Sequence, residues 1–289
     1  MYRPDLFGSI EKIDSARIKN PFIPHLAKIE KIERLSEDTR MYTVKFKDKN
    51  VEKGFSYLPG QFVMVTHFGI GEVAISVCSS PTKRKVQLTI RKAGTVTEKI
   101  HELEEGAVVG IRGPYGNGFP MDKIKGKDVL VVGGGIGLAP LRGAIDYILD
   151  NKKEYGKITV FLGCREPAAI LFSKDIERWK KKIEFLISVD KACEGWKGYV
   201  GVVTTLFDKV EIDGKNGCAI VCGPPVMYRF VGNELIKRNF AKENIYYSLE
   251  RRMKCGLGKC GHCLIAHKFT CVDGPVFTHF DAETLEGFF

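Results

Sequence analysis

The sequence predicts three structural units: an antiparallel β-barrel, an α/β domain with a doubly wound parallel sheet, and a small C-terminal cysteine-rich domain. Three observations predict them. Apolar and polar residues first alternate at period two, then continuous apolar strands alternate with helical segments, and four closely spaced cysteines follow. The expected boundaries are 1–24 for an N-terminal extension, 25–124 for the barrel, 125–248 for the α/β domain and 249–289 for the cysteine domain and tail.

The composition is that of an ordinary globular protein, with 44% hydrophobic and 28% charged residues among 289. No apolar run reaches the length of about 18 residues that a membrane span requires, and Met1–Ile10 lacks the apolar core of a secretory signal. Five scattered cysteines accompany the four clustered ones, which favours the reducing cytoplasm. The net charge of +10 comes without a nucleic-acid-binding motif, so we expect anionic cofactors or an acidic partner protein instead.

Short alternating segments separated by turn residues predict the barrel. Alternation is clear in Val44–Phe46, Val86–Ile90 and Val108–Arg112. Turn signals recur at Leu58–Gly60, Ser80–Thr82 and Gly113–Gly118. Several short strands at this spacing indicate an antiparallel barrel or sandwich.

Continuous apolar segments that alternate with helical ones predict the second domain, because strands of a parallel sheet are buried on both faces. The expected strands are Asp128–Val132, Lys157–Leu162, Phe185–Ser188 and Cys218–Cys222. Three helices are expected: the first follows the glycine loop and ends near Leu149, the second spans Ser173–Lys182 and the third spans Pro225–Asn239.

A glycine loop after the first of these strands predicts a pyrophosphate site, because it exposes backbone N–H groups and begins a helix. The candidate residues are Gly133, Gly134, Gly135, Ile136, Gly137 and Pro140. The spacing is one residue shorter than the usual dinucleotide fingerprint, and a tight turn alone would explain many such loops. Two later segments at the same expected sheet edge strengthen the hypothesis: Arg165-Glu166, where an adenosine ribose would lie, and Cys222-Gly223-Pro224 with Met227.

The four C-terminal cysteines carry the most specific signal. Cys255, Cys260, Cys263 and Cys271 form the C-x4-C-x2-C…C spacing of plant-type [2Fe–2S] centres. Gly256, Gly258 and Gly261 would supply the sharp bends, because glycine tolerates positive φ. A structural zinc site is the alternative, although such sites usually place C-x2-C pairs on separate arms. We expect His262, which lies between two ligands, to face solvent.

The order of a β-domain, the segment G-G-G-I-G-L-A-P and the segment C-G-P-P-x-M resembles the ferredoxin–NADP⁺ reductase superfamily over about residues 25–248. The resemblance implies FAD on the barrel, with FMN as the other flavin. Pro59, Gly60 and Gln61 resemble the family's barrel motif near the flavin. The strand Ala74, Ile75, Ser76 and Val77 matches the flavin-binding strand at Ser76 but lacks the family's arginine.

Two further segments match the family's flavin contacts. They comprise Thr89, Ile90 and Arg91, then Gly94, Thr95, Val96 and Thr97. Arg91 would replace the missing positive charge, or is an ordinary surface strand residue; the sequence supports both interpretations equally.

The cluster segment Ser248–Cys263 and the segment Cys271–Phe277 resemble two groups of electron-transfer proteins. One is the diaphorase (gamma) subunit of cytoplasmic [NiFe] hydrogenases together with its counterpart in anaerobic sulfite reductase. The other is the electron-transfer subunit of dihydroorotate dehydrogenase. The seven-residue gap before Cys271 and the segment Asn20–His25 are more similar to the first group.

The resemblance implies electron transfer between NAD(P)H and a cluster-bearing partner subunit, through FAD and the [2Fe–2S] cluster. Cys222 is the candidate catalytic residue beside the nicotinamide, although by its spacing alone it reads as a buried core thiol. Arg165 would favour NADP and Glu166 would favour NAD, so the choice stays open. A docking adaptor that does not turn over NAD(P)H and a flavin-free zinc module are the alternatives from other classes.

Overall fold

The computed structural model describes residues 20–285. Residues 1–19 of the expected N-terminal extension and residues 286–289 of the expected tail lie outside the described residues. The described end of the extension, Asn20–Pro24, packs on the barrel, where the Pro21 carbonyl accepts hydrogen bonds from Arg112 and Tyr115.

Six antiparallel strands and two short helices form the first domain. The elements are β1 (His25–Arg34), β2 (Thr39–Phe46), α1 (Lys49–Gly54), β3 (Phe62–His67), β4 (Gly71–Ser76), β5 (Val86–Arg91), α2 (Thr95–His101) and β6 (Val108–Tyr115). The strand order is β4-β3-β6-β1-β2-β5, and a bridge between Val77 and Leu88 joins the two outer strands. This contact closes the sheet, so the predicted antiparallel barrel is confirmed.

One turn prediction in the barrel was wrong at its start. Gly113, Pro114 and Tyr115 belong to β6, which pairs with β3 as far as Tyr115 opposite Phe62. The register shifts between Phe62 and Met64, and Gly113 has a φ of +121°. The glycine therefore absorbs an irregularity in a continuous strand instead of beginning a turn.

A seven-stranded sheet with helices around it forms the second domain. Its elements are β7 (Asp128–Gly134), α3 (Leu138–Asp150), β8 (Ile158–Cys164), α4 (Ser173–Lys180), β9 (Glu184–Val189), β10 (Tyr199–Val200), β11 (Gly217–Cys222), α5 (Pro225–Lys237) and β12 (Ile245–Ser248). The order β10-β9-β8-β7-β11-β12 is parallel throughout. The prediction of a doubly wound parallel sheet is confirmed, because the chain runs outward from β7 in both directions.

The cysteine-rich segment follows β12 and ends by returning to the same sheet. It contains β13 (Leu264–Ile265), β14 (Lys268–Phe269), β15 (Val276–Thr278) and α6 (His279–Thr284). β15 pairs antiparallel with β12, with Ser248 opposite Val276, and becomes the seventh strand. The small domain is thus anchored at both ends on the edge of the α/β sheet.

The barrel and the α/β domain share a hydrophobic core. Met41, Cys78 and Phe119 from the barrel side join one buried cluster with the apolar strands and helix α3 of the second domain. The Arg142 side chain on α3 crosses this interface, donating to the Cys78 carbonyl and the Gln87 side chain, both at 3.0 Å. The two domains are therefore held in a fixed orientation.

Within residues 20–285, no helix has the length and apolar character needed to cross a membrane.

Candidate functional site

The cysteine loop, residues 255–263, is a series of glycine bends against barrel strands β3 and β6. Gly256, Gly258 and Gly261 have φ angles of +76°, +68° and +79°, so the predicted bends are confirmed. A side-chain carbon on Gly256 would lie 3.0 Å from the Tyr115 ring. Glycine therefore provides both the backbone conformation and the close approach of the loop to the barrel.

Backbone amides of the loop donate to cysteine sulfurs. The amides of Leu257 and Lys259 lie 3.4 Å from the Cys255 Sγ, and the Gly258 amide lies 3.2 Å from the Cys271 Sγ. Such hydrogen bonds stabilise thiolates and help to set the potential of an iron–sulfur centre. The loop is thus arranged to hold negatively charged sulfur.

The four cysteine side chains interact with one another: Cys255 with Cys260, Cys263 with Cys271, and Cys255 with Cys271. Cys263 and Cys271 are 1% exposed, whereas Cys260 is exposed. A hydrogen bond from the His262 backbone lowers the pKa of Cys260, and burial raises that of Cys271. His262 itself is exposed, as expected.

Among the described residues, no three His, Cys, Asp or Glu side chains are grouped around a position for one metal ion. The donor set fits an iron–sulfur cluster in its chemistry, because it offers four thiols with amide hydrogen bonds on two of the sulfurs.

Strand β4, the expected flavin strand, is half-buried along its whole length. Ala74 packs against the group formed by Phe62, Met64, Tyr115, Cys263 and Cys271. Val73 and Ile75 pack against the barrel core. β4 therefore contacts the cysteine group and still leaves a partly open surface that includes Ser76.

The start of α2 leaves room for a phosphate. The amides of Ala93 and Gly94 donate to the Thr97 hydroxyl at 2.9 and 3.0 Å, so Thr97 shapes the turn. Gly94 and Thr95 are exposed, Val96 is half-buried, and nothing lies within 4 Å of a side-chain carbon built on Gly94. An open surface at the start of a helix suits an anion, so the residues fit this part of the flavin expectation.

Several of the other expected flavin residues lie inside the barrel, where only their backbone could reach a ligand. The Gln61 side chain accepts from the Leu58 amide and donates to the Gly116 carbonyl, at 2.8 and 2.6 Å. The buried members of this group are Pro59, Gly60, Val77, Thr89 and Ile90. Arg91 differs, because its side chain is exposed at the end of β5.

The glycine loop and the Cys222 segment meet at the carboxyl edge of the parallel sheet. Gly133 on β7 is opposite Cys222 on β11. A side-chain carbon on Gly134 would lie 2.7 Å from Pro224 and 2.8 Å from the Met227 sulfur, and one on Gly137 would overlap the Cys222 carbonyl. These two glycines therefore permit the contact between the motifs.

Gly135, between them, has a φ of +53° and open space around it. The neighbouring Ile136 is half-buried. Pro140 lies in the first turn of α3, as expected from the sequence.

Arg165 and Glu166 follow β8 next to this loop and are both exposed. Gly163 is opposite Gly134 across the β7–β8 pair, so the two segments share one edge. The structure places both residues at the carboxyl edge of the parallel sheet and buries neither.

Cys222 is 2% exposed and contacts Tyr228 and Ser248. Burial, followed by the charge of Glu250, raises the pKa of its thiol. The Tyr228 hydroxyl donates to the Ser248 carbonyl at 2.6 Å and lies 3.3 Å from the Gly223 amide. Cys222 is therefore a neutral thiol at the base of the site.

Glu250 was missed by the sequence reasoning. It follows the buried strand β12, interacts with Cys222 and faces Arg91 of the barrel. Its side chain is exposed at the surface, yet desolvation by the protein around it raises the pKa of its carboxyl group, and the charge of Arg91 opposes the shift. The available signal was its place directly after a strand at the carboxyl edge.

Three family models match successive parts of the chain. An oxidoreductase FAD-binding domain covers residues 26–119, and an oxidoreductase NAD-binding domain covers 131–233. The iron–sulfur cluster binding domain of dihydroorotate dehydrogenase B covers 250–282.

Curated relatives match nearly the whole chain. Sulfhydrogenase 2 subunit gamma of Pyrococcus furiosus is 42% identical over 286 residues, covering 93% of this chain and 99% of the relative. Sulfhydrogenase 1 subunit gamma of the same organism is 41% identical over 278 residues, covering 93% and 95%. A probable dihydroorotate dehydrogenase B (NAD(+)) electron transfer subunit of Methanocaldococcus jannaschii is 36% identical over 230 residues, covering 78% and 81%.

Solved structures share the fold. An NADH-dependent reduced ferredoxin-NADP oxidoreductase, described for flavin-based electron bifurcation, has a TM-score of 0.71 at 25% identity, over 91% of this chain and 90% of that one. The cytochrome b5 reductase domain of Ulva prolifera nitrate reductase has a TM-score of 0.65 at 20% identity, over 78% and 97%.

Proposed function

The chain belongs to the ferredoxin–NADP⁺ reductase-like oxidoreductases, in the group that contains the sulfhydrogenase gamma subunits and the dihydroorotate dehydrogenase electron transfer subunits, and on this premise we propose its place in a larger complex. It is an NAD(P)H-dependent electron-transfer subunit with FAD-binding and iron–sulfur domains. We infer that it exchanges electrons with a cluster-bearing partner of hydrogenase or sulfite-reductase type, through a [2Fe–2S] centre.

The proposal rests on the position of the barrel, which lies between the cysteine residues and the edge of the parallel sheet at Cys222. Ala74 on β4 packs against the buried cluster that contains Cys263 and Cys271, while Arg91 on β5 faces Glu250 beside Cys222. A flavin on this surface would therefore have the nucleotide edge on one side and the cysteines on the other. FAD, when bound, would take two electrons as hydride and release them singly.

The chain's own residues would bind and orient the reactants. The amides of Gly133–Gly137 would hold the pyrophosphate of the nucleotide. Gly223, Pro224 and Met227 would shape the nicotinamide pocket. We assign Cys222 to the floor of that pocket as a neutral thiol, without acid–base chemistry.

The exposed pair Arg165 and Glu166 would select the nucleotide. A guanidinium recognises a 2′-phosphate, and a carboxylate accepts from a ribose hydroxyl. If Arg165 makes the selective contact, R165A is expected to weaken the binding of NADPH more than the binding of NADH. If Glu166 makes it, E166A is expected to weaken the binding of NADH more than the binding of NADPH.

The exposed surface around the cysteine loop suits an acidic partner. Cys260 is exposed, and the exposed charged residues of the segment 251–262 are all basic. None of these basic side chains has an ion-pair partner within residues 20–285. They are Arg251, Arg252, Lys254 and Lys259. Electrons would leave through the thiol that lies nearest the solvent.

Dihydroorotate dehydrogenase is the second candidate complex, supported by the family model that matches residues 250–282. The seven-residue gap before Cys271 and the 42% identity to a sulfhydrogenase gamma subunit favour the first candidate.

Anaerobic titration of the purified chain with NADH and, separately, NADPH tests the proposal. We expect flavin bleaching followed by the EPR signal of a reduced [2Fe–2S] centre, with about two irons and two sulfides per chain. The C260S variant is expected to lose the EPR signal but keep flavin reduction. C193S is the matched control, because Cys193 is exposed and lies outside the loop.

Zinc in place of iron would contradict the cluster assignment. Flavin and cluster that neither nucleotide reduces would identify a docking adaptor. Co-purification with a dihydroorotate-oxidising subunit would favour the second candidate.

A further inference from the structure

Arg112 is a buried cation beside the cysteine loop. It lies on β6, is 1% exposed, and forms a bidentate ion pair with Glu72 on β4, at 2.8 and 2.6 Å. Glu72 lies two residues before Ala74, so the two side chains are on the same face of β4. The pair therefore links β6 to the expected flavin strand.

The same guanidinium also binds the cysteine loop. Its Nη1 lies 3.1 Å from the Cys255 carbonyl oxygen, 3.3 Å from the Pro21 carbonyl oxygen and 3.1 Å from the Tyr115 hydroxyl. Tyr115 in turn donates to the Pro21 carbonyl at 3.2 Å. One side chain thus ties the first ligand of the loop to the barrel and to the segment before β1.

Aromatic rings shield this charge from water. The guanidinium carbon lies 5.8 Å from the Phe22 ring centre and 5.7 Å from that of Tyr115. The Lys259 ammonium also lies over the Phe22 ring, 5.6 Å from its centre. In such a setting charges are screened less than at the surface, so their effect on a neighbouring redox group is larger.

The charges around Arg112 oppose one another. Glu72 carries the negative charge: burial raises the pKa of its carboxyl group, but the hydrogen bonds from Arg112 and Thr66 and the charge of Arg112 together outweigh burial, so the net shift is downward. Reduction of a cluster adds negative charge, which a nearby cation favours and a nearby anion disfavours.

We propose that Arg112 is a positioning residue for the iron–sulfur cluster, fixing the Cys255 end of the loop against the flavin strand, and that its charge raises the cluster potential while Glu72 lowers it. This inference rests on the proposed function, because it requires a cluster on Cys255.

Three variants of the reconstituted full chain distinguish the positioning role of Arg112 from the effect of its charge on the potential. R112Q and E72Q both break the ion pair but leave opposite charges behind. By EPR-monitored redox titration we expect the midpoint potential to become more negative in R112Q and more positive in E72Q. R112K keeps the charge but loses the fork of hydrogen bonds, so we expect a potential near that of the parent and a faster loss of iron to a chelator.

R142Q is the matched control. Arg142 is also a buried arginine paired with a carboxylate, but it lies at the domain interface. Its loss is expected to reduce stability and to leave the cluster potential unchanged.

The electrostatic role would be overturned if the midpoint potentials of R112Q and E72Q shifted in the same direction or did not shift. A purely structural ion pair predicts the same change in potential whichever partner is removed. Iron loss from R112K at the parent rate would overturn the positioning role. A parent chain that holds no iron–sulfur cluster after reconstitution would instead contradict the proposed function, and this inference with it.

Discussion

Glycines in the cysteine loop serve a backbone purpose and a packing purpose, and the structure separates the two. Gly258 has a φ of +68°, and a side-chain carbon there would lie 3.0 Å from Val272. Gly126 has a similar φ of +76° but open space around it, far along the chain from the cysteines. An alanine at either position strains the backbone, and only the first would also displace an amide that donates to Cys271.

We therefore expect G258A and G126A each to lower the free energy of unfolding by about 1 kcal/mol through backbone strain. G258A alone should also reduce the iron retained per chain, because the Gly258 amide to Cys271 hydrogen bond shifts. Denaturant unfolding and iron analysis measure the two effects. Equal iron content in the two variants would show that the Gly258 contact with Cys271 is unimportant.

Glu250 is the charged group that faces both the Cys222 segment and the barrel. Desolvation raises the pKa of its carboxyl group above the ordinary value for a glutamate. As a nicotinamide loses hydride its ring becomes positively charged, and a carboxylate at this position would stabilise that charge.

Anaerobic stopped-flow measurement of flavin reduction by NAD(P)H tests Glu250. The rate should fall as the pH drops through the raised pKa, because protonation removes the negative charge. E250Q should be slower by about tenfold at neutral pH, equivalent to about 1.4 kcal/mol, and should lack this pH dependence. A parent-like pH profile in E250Q would assign the titration to another group.

Helix α3 is the element that couples the two large domains. Its Arg142 pairs with Asp175 on α4 at 2.7 Å and donates to two groups of the barrel. Burial opposes the ionised form of Asp175, but Arg142 and Arg178 outweigh it and lower its pKa. The pair's contribution is therefore present above the unfolded-state pKa and is lost as the pH falls through the lower folded-state value.

R142Q should reduce the free energy of unfolding by about 3 kcal/mol, since it leaves the Cys78 carbonyl without its donor and removes one of the two arginine partners of Asp175. K83A is the control at the same interface. Lys83 pairs with Asp150 at 2.6 Å but is largely exposed, so its loss should cost less than about 1 kcal/mol. Similar losses in both variants, measured by urea unfolding, would contradict the importance of burial.

At the scale of the whole molecule, basic residues are spread along the chain, but those at the cysteine loop form a surface that could attract a partner. The net charge is +10, and the exposed basic residues at the cysteine loop lack ion-pair partners within residues 20–285. Electrostatic attraction between such a surface and an acidic protein accelerates association and weakens with salt.

Electron transfer to an acidic ferredoxin as a test acceptor should therefore slow with ionic strength, whereas flavin reduction by NAD(P)H should change much less. The double variant K254E/K259E should lower the acceptor rate by about tenfold or more at low salt. K180E/K181E is the control, since these lysines lie at the end of α4. An acceptor rate that is insensitive to salt would exclude this docking surface.

Local patterns predicted the larger elements because each is determined by its own sequence. Long apolar strands such as β7 and β8, and the bends at Gly256 and Gly258, follow directly from residue type. β10, β12 and β15 were not predicted: they have two to four residues and depend on pairing with a distant strand. Arg112 and Glu250 were missed for a related reason, because their partners are far away in the chain.

The pairing of β12 with β15 has a consequence for biosynthesis. The cysteine loop is an excursion between two strands whose ends meet at Ser248 and Val276. A nascent chain can complete this sheet edge only after its C-terminal segment has left the ribosome, so Cys271 reaches the other three cysteines late. A chain that stops before Cys271 would lack both the last ligand and the strand that anchors this excursion on the sheet.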